Sequence, residues 1–263
     1  MLIGAFFAVA GSVAFANPWA GLLMAVISCL VMSLAFAAVH LELKADEMIV
    51  GLALNLFGYG LTTYLMTVIF QASGFFSDPR IIGFRPIRIP VLEGIPVLGP
   101  LLSGHFALVY LGFVAVALTH LVLYKTPWGF WLRAVGENAE AAEAVGVNVR
   151  LMKYAGVLTG GVLCGFSGAF ISLAHLNLFS ENMTTGRGFL ALAAVSFGER
   201  KPWRCLLAAL VFGFADAIAV WLQRFGLPSQ LVLMLPYIAT IVILALSSIQ
   251  HLAAMKARKV AMA

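Results

Sequence analysis

Charged residues are unusually scarce in this sequence, since only 10% of its 263 residues are Asp, Glu, Lys or Arg. Hydrophobic residues make up 62%, and the mean hydropathy is +1.02. A soluble globular domain carries charge on about 25% of its residues, so that class of protein is excluded. The composition is that of a polytopic membrane protein. The net charge of +5 is therefore a topology signal and does not indicate nucleic-acid binding.

Cysteine and metal-ligand patterns are also scarce. Cys29, Cys164 and Cys205 occur singly in apolar runs, which excludes a disulfide framework and favours small packing residues. The five histidines lack metal-ligand spacing, and we predict no metal site, cofactor or catalytic residue. The sequence contains no phosphate-binding G-x-x-x-x-G-K-[ST] loop, so it cannot hydrolyse a nucleotide by that route.

Long apolar runs are abundant, and a spanning helix needs about 20 such residues. Six runs qualify: Trp19–Val39, Ile49–Phe70, Gly104–Leu123, Tyr154–Ala174, Cys205–Leu222 and Leu231–Ile249. Leu2–Ala16 is short and resembles the end of a span, and Gly188–Phe197 is shorter still. The sequence therefore predicts an all-α helical bundle with about seven to eight membrane elements, forming one domain over residues 1–263.

A polar island, Arg133–Lys153, interrupts the apolar runs. Asn138 can cap a helix that starts at Ala139, where Glu140 would interact favourably with the helix dipole. Gly146 can end that helix in a left-handed conformation. Two helical turns are unstable alone in water, so we expect the island to rest on a partner surface.

Lys and Arg collect on the cytoplasmic side of membrane proteins. With the island inside and an alternating chain, eleven of the 16 Lys and Arg residues lie inside. The other five lie outside: Arg80, Arg85, Arg88, Arg187 and Arg224. This predicts a multi-pass protein of the cell membrane whose island and C-terminus are cytoplasmic, and it requires the stretch Asn177–Phe197 to cross the membrane once.

The longest predicted outer segment, Gln71–Ser103, is rich in proline and glycine. Extended structure and turns are expected there instead of regular helix. The segment either covers the outer mouth of a pathway, contacts an external protein, or is a solvated connector.

Small residues recur along the predicted span Tyr154–Ala174. Four of them follow at four-residue steps, with Gly161 and Gly165 flanking them: Gly156, Gly160, Cys164 and Gly168. Small residues on one helix face let another backbone approach closely. The pattern favours helix packing over direct substrate contact.

The stretch Asn177–Phe197 fits a half-helix that begins near the middle of the membrane. Thr184 or Thr185 can cap its start, while Gly186 and Gly188 leave backbone groups accessible to a polar ligand. Irregular backbone at that depth must be buried in protein or line a wet cavity. The pattern favours a pathway-lining element over an interfacial loop.

Other polar residues lie within predicted spans. Asn55 and Tyr59 are four residues apart and share a helix face, with Thr62 or Thr63 nearby, and an amide beside an aromatic ring suits a ring-shaped solute. Asp216 lies near the middle of its span and is a candidate pathway residue. Hydrogen bonding between helices is the alternative explanation for each.

Five motifs carry a resemblance to a known family. They are GENAEAAEAVGVNV (Gly136–Val149), LKADEMIVGLALNL (Leu43–Leu56), IPVLGPLL (Ile95–Leu102), MTTGRGFLALAAVSFG (Met183–Gly198) and LPSQLVLMLPYIATIVIL (Leu227–Leu244). In order along the whole chain, they resemble permease subunits of ATP-binding-cassette importers in the branch for branched-chain amino acids, pentoses and nucleosides. The likeness is greatest to nucleoside or simple-sugar permeases.

The resemblance implies a fold, a coupling segment and partners. The fold would be the type II bundle of vitamin-B12 importers, with a cytoplasmic coupling segment over residues 124–153. That segment would dock a separate ATPase chain through these residues: Glu137, Asn138, Glu140, Ala141, Ala142, Glu143 and Gly146. A second permease subunit, identical or homologous, an extracytoplasmic solute-binding protein and membrane lipid would complete the assembly.

Family members usually begin with one more helix, so we expect either a start site placed too late or a shortened relative. Three alternatives to nucleoside import stay open. The first is an importer of the same class for riboflavin, a pentose or a branched-chain amino acid. The second is an ion-coupled secondary transporter that uses Asp216, and the third is a membrane scaffold that transports nothing.

Overall fold

The computed structural model describes residues 1–87, 103–184 and 186–222, and nearly all of the regular structure in them is helical. In chain order the α-helices are α1 (Leu2–Phe15), α2 (Pro18–Ala37), α3 (Glu47–Phe70), α4 (Ala107–Lys125), α5 (Pro127–Glu137), α6 (Ala139–Ala144), α7 (Val149–Ala169), α8 (Arg187–Phe197) and α9 (Pro202–Leu222). Two π-helical turns, Ala38–Glu42 and Phe170–Leu176, extend α2 and α7. Four two-residue strands form antiparallel pairs, namely β1 (Phe75–Phe76) with β4 (Phe179–Ser180), and β2 (Pro86–Ile87) with β3 (His105–Phe106).

Five of these helical stretches are long and apolar enough to cross a membrane. They are Pro18–Glu42, Glu47–Phe70, Ala107–Lys125, Val149–Leu176 and Pro202–Leu222. Each coincides with a predicted span, so the prediction of an all-α, multi-pass membrane protein is confirmed. The sixth predicted span, Leu231–Ile249, lies outside the described residues. The short elements are α1, with 14 residues, and α8, with 11.

The chain divides into two compact units, residues 1–185 and residues 186–263. In the first unit the most buried span is α7 with its π-helical extension. Of its most apolar 18 residues, 44% are buried inside the protein, whereas the corresponding share for α4 is 6%. The core joins α1, α2 and α7, with Phe6, Val9 and Leu173 among its fully buried side chains. Most of the surface of α3 and α4 is therefore free to face lipid or another subunit.

Close helix packing runs along a different face of α7 from the predicted stripe. A Cβ atom on Gly161 would lie 2.1 Å from the Ser33 hydroxyl, and one on Gly165 would lie 2.7 Å from the Val26 Cα, both on α2. Among the predicted residues, Gly168 meets the start of α1, where a Cβ atom would lie 2.5 Å from the Met1 carbonyl oxygen.

The other members of the predicted stripe need a correction. A Cβ atom on Gly160 would meet nothing within 4 Å, one on Gly156 would meet only Leu132 at 3.7 Å, and Cys164 is exposed. Steps of four residues drift by about 40° per step around a helix of 3.6 residues per turn. A four-residue stripe therefore turns away from a straight partner, and the flanking glycines make the contact.

The described part of the outer segment folds back onto one end of the first unit. Its backbone is bonded to the helices, because the Ser12 hydroxyl donates to the Ile82 carbonyl at 2.7 Å and the Phe84 N–H donates to the Leu173 carbonyl at 3.0 Å. The Gly74 backbone bonds to both the backbone N–H and the side chain of Glu181. Extended structure and turns replace helix here, as predicted.

We call this end, formed by residues 71–87, 103–106 and 177–184, the loop end. Aromatic rings fill the space beneath it. Phe6 contacts Phe179 and Phe70 with ring centroids 5.3 and 5.8 Å apart, and Phe70 stacks on Phe76 at 4.0 Å. The segment therefore covers the helix ends as a packed layer.

In the second unit, α8 and α9 form a helical hairpin with a tight turn. Glu199 and Arg200 both adopt left-handed backbone angles, and the Glu199 carboxylate pairs with Lys201 at 3.5 Å and with Arg204. The hairpin begins at Gly186, whose φ of +76° suits glycine.

The start of α8 corrects a predicted cap. The N-cap residue is Gly186, and no side chain of the described residues caps the helix. Thr184 is two residues too early for that role, because the left-handed turn at Gly186 sets the start at Arg187. Thr185 lies outside the described residues. At 11 residues α8 measures about 16 Å, half the thickness of a bilayer core, as the half-helix prediction requires.

Candidate coupling and pathway sites

The polar island lies at the end of the first unit opposite the loop end. We call this end, formed by residues 38–46 and 126–153, the polar end. The Thr126 hydroxyl accepts a hydrogen bond from the Gly129 N–H at 3.2 Å, and Pro127 takes the first helical position, where its missing N–H costs nothing. The chain thus leaves the α4 span and begins α5 within two residues.

Local sequence explains the short helix α6. The Asn138 side chain accepts from the Ala141 N–H at 3.0 Å, and Gly146 ends the segment with φ of +85°. The Gly146 N–H donates to the Glu143 carbonyl, and the Val147 N–H donates to that of Ala142. The predicted cap and the predicted left-handed glycine are both confirmed.

A small apolar cluster holds α6 in place. Val135 of α5, Ala142 of α6 and Met152 of α7 are buried against one another, with exposed fractions of 7%, 3% and 2%. A cluster of this size stabilises far less than the core that lies under the loop end. The six-residue helix is therefore attached by one alanine, and its other faces are open.

The open faces of the island are acidic and partly apolar. Glu137, Glu140 and Glu143 follow at three-residue steps and are exposed, and Val145 has 79% of its surface exposed. In the part of the chain that the structure describes, these three carboxylates take part in no ion pair. Glu140 and Glu143, three residues apart, lie along one side of α6, and Glu137 ends α5 just before the extended N-cap Asn138.

Helix α5 carries large aromatic side chains on its surface. Trp128, Phe130 and Trp131 are 52%, 63% and 40% exposed, and the Arg133 guanidinium lies 4.5 Å from the centre of the Tyr124 ring. Aromatic residues beside the end of a span are typical of the membrane–water boundary. Their position agrees with a polar end that emerges from the bilayer.

A polar stripe runs along α3. Its members lie at four-residue steps: Asn55, Tyr59, Thr63 and Thr67. The Asn55 and Tyr59 side chains are exposed, and the Thr63 hydroxyl oxygen is shielded from solvent without a hydrogen-bond partner among the described residues. Polar side chains on the outside of a span face protein or a wet cavity in preference to lipid, so this face of α3 is expected against another subunit or water.

The neighbouring threonine has a structural role. Thr62 is buried, and its hydroxyl donates to the Gly58 and Tyr59 carbonyls at 2.9 and 3.0 Å. Its bonds stay within the helix. Thr63, at the four-residue step from Tyr59, is half-buried instead, with its hydroxyl oxygen shielded from solvent.

Asn55 also borders a cavity of about 380 Å³ between α1, α2, α3 and α7. Ser33, Gly160 and Cys164 lie in its wall, which explains why Gly160 has open space before it. Met1 lines the same cavity. The walls are mainly apolar, and the cavity lies in the half of the bundle nearer the polar end.

The remaining predicted pathway residues lie elsewhere. Thr184 is partly buried in the first unit, and Gly186 and Gly188 begin α8, with Gly188 exposed and facing open space where a Cβ atom would lie. Asp216 is exposed on α9. The described residues of the first unit thus bring together Asn55 and Tyr59, whereas Asp216 belongs to the second unit.

Sequence reasoning missed a polar network at the polar end. The Tyr154 hydroxyl donates to the Glu42 carboxylate at 2.8 Å, and the Arg150 guanidinium pairs with the same oxygen. A charge at the end of a predicted span is the only local signal. Its partners, 108 and 112 residues further on, have no local pattern that connects them to it.

Residues 1–244 match the family described as branched-chain amino acid transport system, permease component. The chain is 35% identical to the guanosine ABC transporter permease protein NupQ of Bacillus subtilis, covering 93% of this chain and 79% of that protein. It is also 35% identical to the nucleoside ABC transporter permease protein NupC of Lactococcus lactis subsp. cremoris, covering 94% and 80%. A putative glucose ABC transporter permease protein of Haloferax volcanii, TsgC13, is 34% identical over 86% of this chain and 68% of its own length. No solved structure matches the chain.

Proposed function

The chain belongs to the family of branched-chain amino acid transport system permease components, and from that premise we propose that it is the membrane-spanning permease subunit of an ATP-driven nucleoside importer. The observation that carries the solute class is the 35% identity to a guanosine permease and a nucleoside permease over more than nine-tenths of the chain. The chain translocates its solute and leaves ATP hydrolysis to a separate subunit.

The polar island is the proposed docking site for that ATPase. The proposed docking residues form or flank α6: Glu137, Asn138, Glu140, Ala141, Ala142, Glu143 and Gly146. The support is geometric, because the short helix is preformed by its caps and yet leaves its acidic side and Val145 open. A partner surface with basic groups around a groove would complement it.

The α3 stripe is the proposed solute-facing surface. Asn55 supplies an amide with two donors and an acceptor, and Tyr59 supplies a ring with 43% of its surface exposed. A nucleoside base needs hydrogen bonds along its edge and a ring against its face. The proposed pathway residues in the half-helix region and α9 are Thr184, Thr185, Gly186, Gly188 and Asp216.

The proposed assembly is a type II importer with seven to eight membrane elements in each permease. Two permease subunits, identical or homologous, surround the pathway in the cell membrane, with the polar end and the C-terminus cytoplasmic. An extracytoplasmic binding protein delivers solute at the loop end, and lipid covers the remaining span surfaces. Relatives with paired names, such as NupP and NupQ of Bacillus subtilis, support a pair of permeases.

Uptake into proteoliposomes tests the solute class. The permease complex, its ATPase and its binding protein are reconstituted, and accumulation of radiolabelled guanosine and adenosine is measured with and without ATP. We expect ATP-dependent accumulation that excess unlabelled nucleoside competes away and excess glucose does not. Accumulation of glucose alone would favour a sugar permease, the second candidate that the 34% identical relative supports.

Charge reversal tests the docking site. Glu140→Arg should abolish ATP-dependent uptake, because it places a cation against the proposed basic partner. Glu47→Arg is the matched control, since Glu47 is also exposed, also lies in the first turn of a helix and loses the same dipole interaction, but lies outside the island. Equal uptake by the two variants would refute docking through α6.

A further inference from the structure

A three-residue network joins the start of α7 to the end of α2 beside the polar island. The Glu42 carboxylate accepts a hydrogen bond from the Tyr154 hydroxyl at 2.8 Å and pairs with the Arg150 guanidinium. Arg150 and Tyr154 lie four residues apart, so both point from one side of α7. The network therefore spans the gap between two helices at the polar end.

The backbone around Glu42 is shaped to present this carboxylate. The π-helical turn Ala38–Glu42 widens the end of α2, which rotates the side chains that follow relative to α-helical register. The His40 imidazole bonds to the Ala45 carbonyl at 2.9 Å, and the left-handed Lys44 turns the chain toward α3. Glu42 is thereby held at the last residue of its own helix, just before the chain turns.

The first turns of α7 have a second attachment on the opposite side. Met152 lies two residues from both Arg150 and Tyr154, about 200° away around the helix. Its side chain is 2% exposed in the cluster with Val135 of α5 and Ala142 of α6. The start of α7 is thus held between the island on one side and the end of α2 on the other.

We propose that Glu42 is a positioning residue that makes the island and α2 move as one body when the ATPase displaces α6. Displacement passes from Ala142 to Met152, across α7, and through Arg150 and Tyr154 to Glu42. Further along, two glycines of α7 keep that helix in close contact with α2. This inference rests on the proposed function in one respect, namely that an ATPase subunit displaces α6.

We expect the network to contribute little to the stability of the fold. The Glu42 and Arg150 side chains are 38% and 71% exposed, and exposed ion pairs contribute little to folding. A carboxylate that accepts from two groups of one helix does fix the distance between α2 and α7. Its removal should leave the fold intact and loosen the mechanical link.

Coupling efficiency is the first test. Glu42→Gln keeps the shape but removes the charge, and we expect the number of nucleosides transported per ATP hydrolysed to fall about fivefold or more, with ATPase binding and thermal stability unchanged. The exchanged pair Glu42→Arg with Arg150→Glu should restore most of the ratio. Glu47→Gln is the control, because it removes an exposed carboxylate five residues away. An unchanged ratio in Glu42→Gln would overturn the proposal.

A distance measurement separates this proposal from the solute assignment. Spin labels are placed at Leu43, just after the end of α2, and at Leu151 on α7, both exposed and outside the proposed docking residues, after Cys29, Cys164 and Cys205 are replaced by alanine. In the complex with the ATPase and ATP, the distance distribution should be narrow in the protein that keeps Glu42 and broad in the Glu42→Gln variant. Identical distributions would overturn the proposal even if nucleosides are transported, whereas a complex that moves no nucleoside but shows the broadening would refute only the solute class.

Discussion

At the loop end of the first unit, segments from distant parts of the chain close over the helices. At the polar end, a six-residue helix is held by one buried alanine that packs against two side chains of neighbouring helices. The loop end is sealed by stacked phenylalanines and by backbone hydrogen bonds from Ile82 and Phe84. The polar end leaves three carboxylates and Val145 open. One end is thus packed by this chain itself, and the other exposes a short acidic helix.

Removing an aromatic ring from the sealed end should have the greatest effect. Phe6 is fully buried and its ring meets those of Phe7, Phe70 and Phe179. Phe6→Ala should lower the free energy of unfolding by about 3–5 kcal/mol, because a cavity replaces the ring. Thermal unfolding in lipid nanodiscs measures it. Phe15→Ala, at a residue 64% exposed on the same helix, should have little effect, and equal losses would show that the aromatic layer is not the stabilising element.

The second largest effect is expected at the contact between α2 and α7, two helices that run from the loop end to the polar end. Gly165→Ala places a methyl group 2.7 Å from the Val26 Cα, where only backbone movement can relieve the clash. We expect a loss of about 1–3 kcal/mol in the free energy of unfolding.

Gly160→Ala is the matched control, five residues earlier on the same helix with open space before it. It should be neutral or slightly stabilising, because alanine favours helix over glycine. The same unfolding measurement serves both variants. A larger loss for Gly160→Ala would place the contact face on the four-residue stripe instead.

A weaker effect is expected at the polar end. Asn138→Ala removes the acceptor of the Ala141 N–H and should destabilise α6 by about 1 kcal/mol. Hydrogen exchange at the Ala141 amide should speed up, while the amides of the loop end keep their rates. Asn138→Asp retains an acceptor and should exchange as the parent does, so faster exchange in both variants would argue against side-chain capping.

The weakest effect is a pH dependence at the loop end. Hydrogen bonds from the Arg80 guanidinium and backbone N–H lower the pKa of Asp78 to about 2, from 3.8. A depressed carboxyl pKa stabilises the fold above pH 3.8, and this contribution disappears as the pH falls toward 2.

Between about pH 7 and pH 5 the Asp78–Arg80 pair should therefore make an unchanged contribution. Comparing the thermal midpoints of the parent and Asp78→Asn across that range checks it. A difference that shrinks well above about pH 4 would mean that the pair does not hold the carboxylate in its charged form.

Local features of this fold can be predicted from sequence, and contacts between distant segments cannot. Asn138 and Gly146 are predictable because a cap and a left-handed glycine act within a few residues. Five spans follow from apolar length alone. The pairing of β1 with β4 joins residues more than a hundred positions apart, and nothing in either dipeptide specifies the other.

The candidate sites show the same limit. Four-residue spacing identifies small residues on α7, but which side meets α2 depends on where α2 lies, so the pattern alone cannot select Gly161 and Gly165. For the polar stripe of α3, periodicity alone predicts that Asn55 and Tyr59 share a helix face. It does not predict that this face is exposed, which depends on where the other helices lie. The network around Glu42 depends on the fold, because only the fold brings its three residues together.

Crosslinking from the two ends would decide whether the polar end alone receives the ATPase. A photoreactive amino acid replaces Val145 at the polar end or Phe75 at the loop end, two side chains that are 79% and 65% exposed, and the membrane complex with its ATPase is irradiated. We predict a covalent adduct with the ATPase from position 145 and none from position 75. An adduct from position 75, or none from position 145 in a complex that hydrolyses ATP, would contradict the assignment of the two ends.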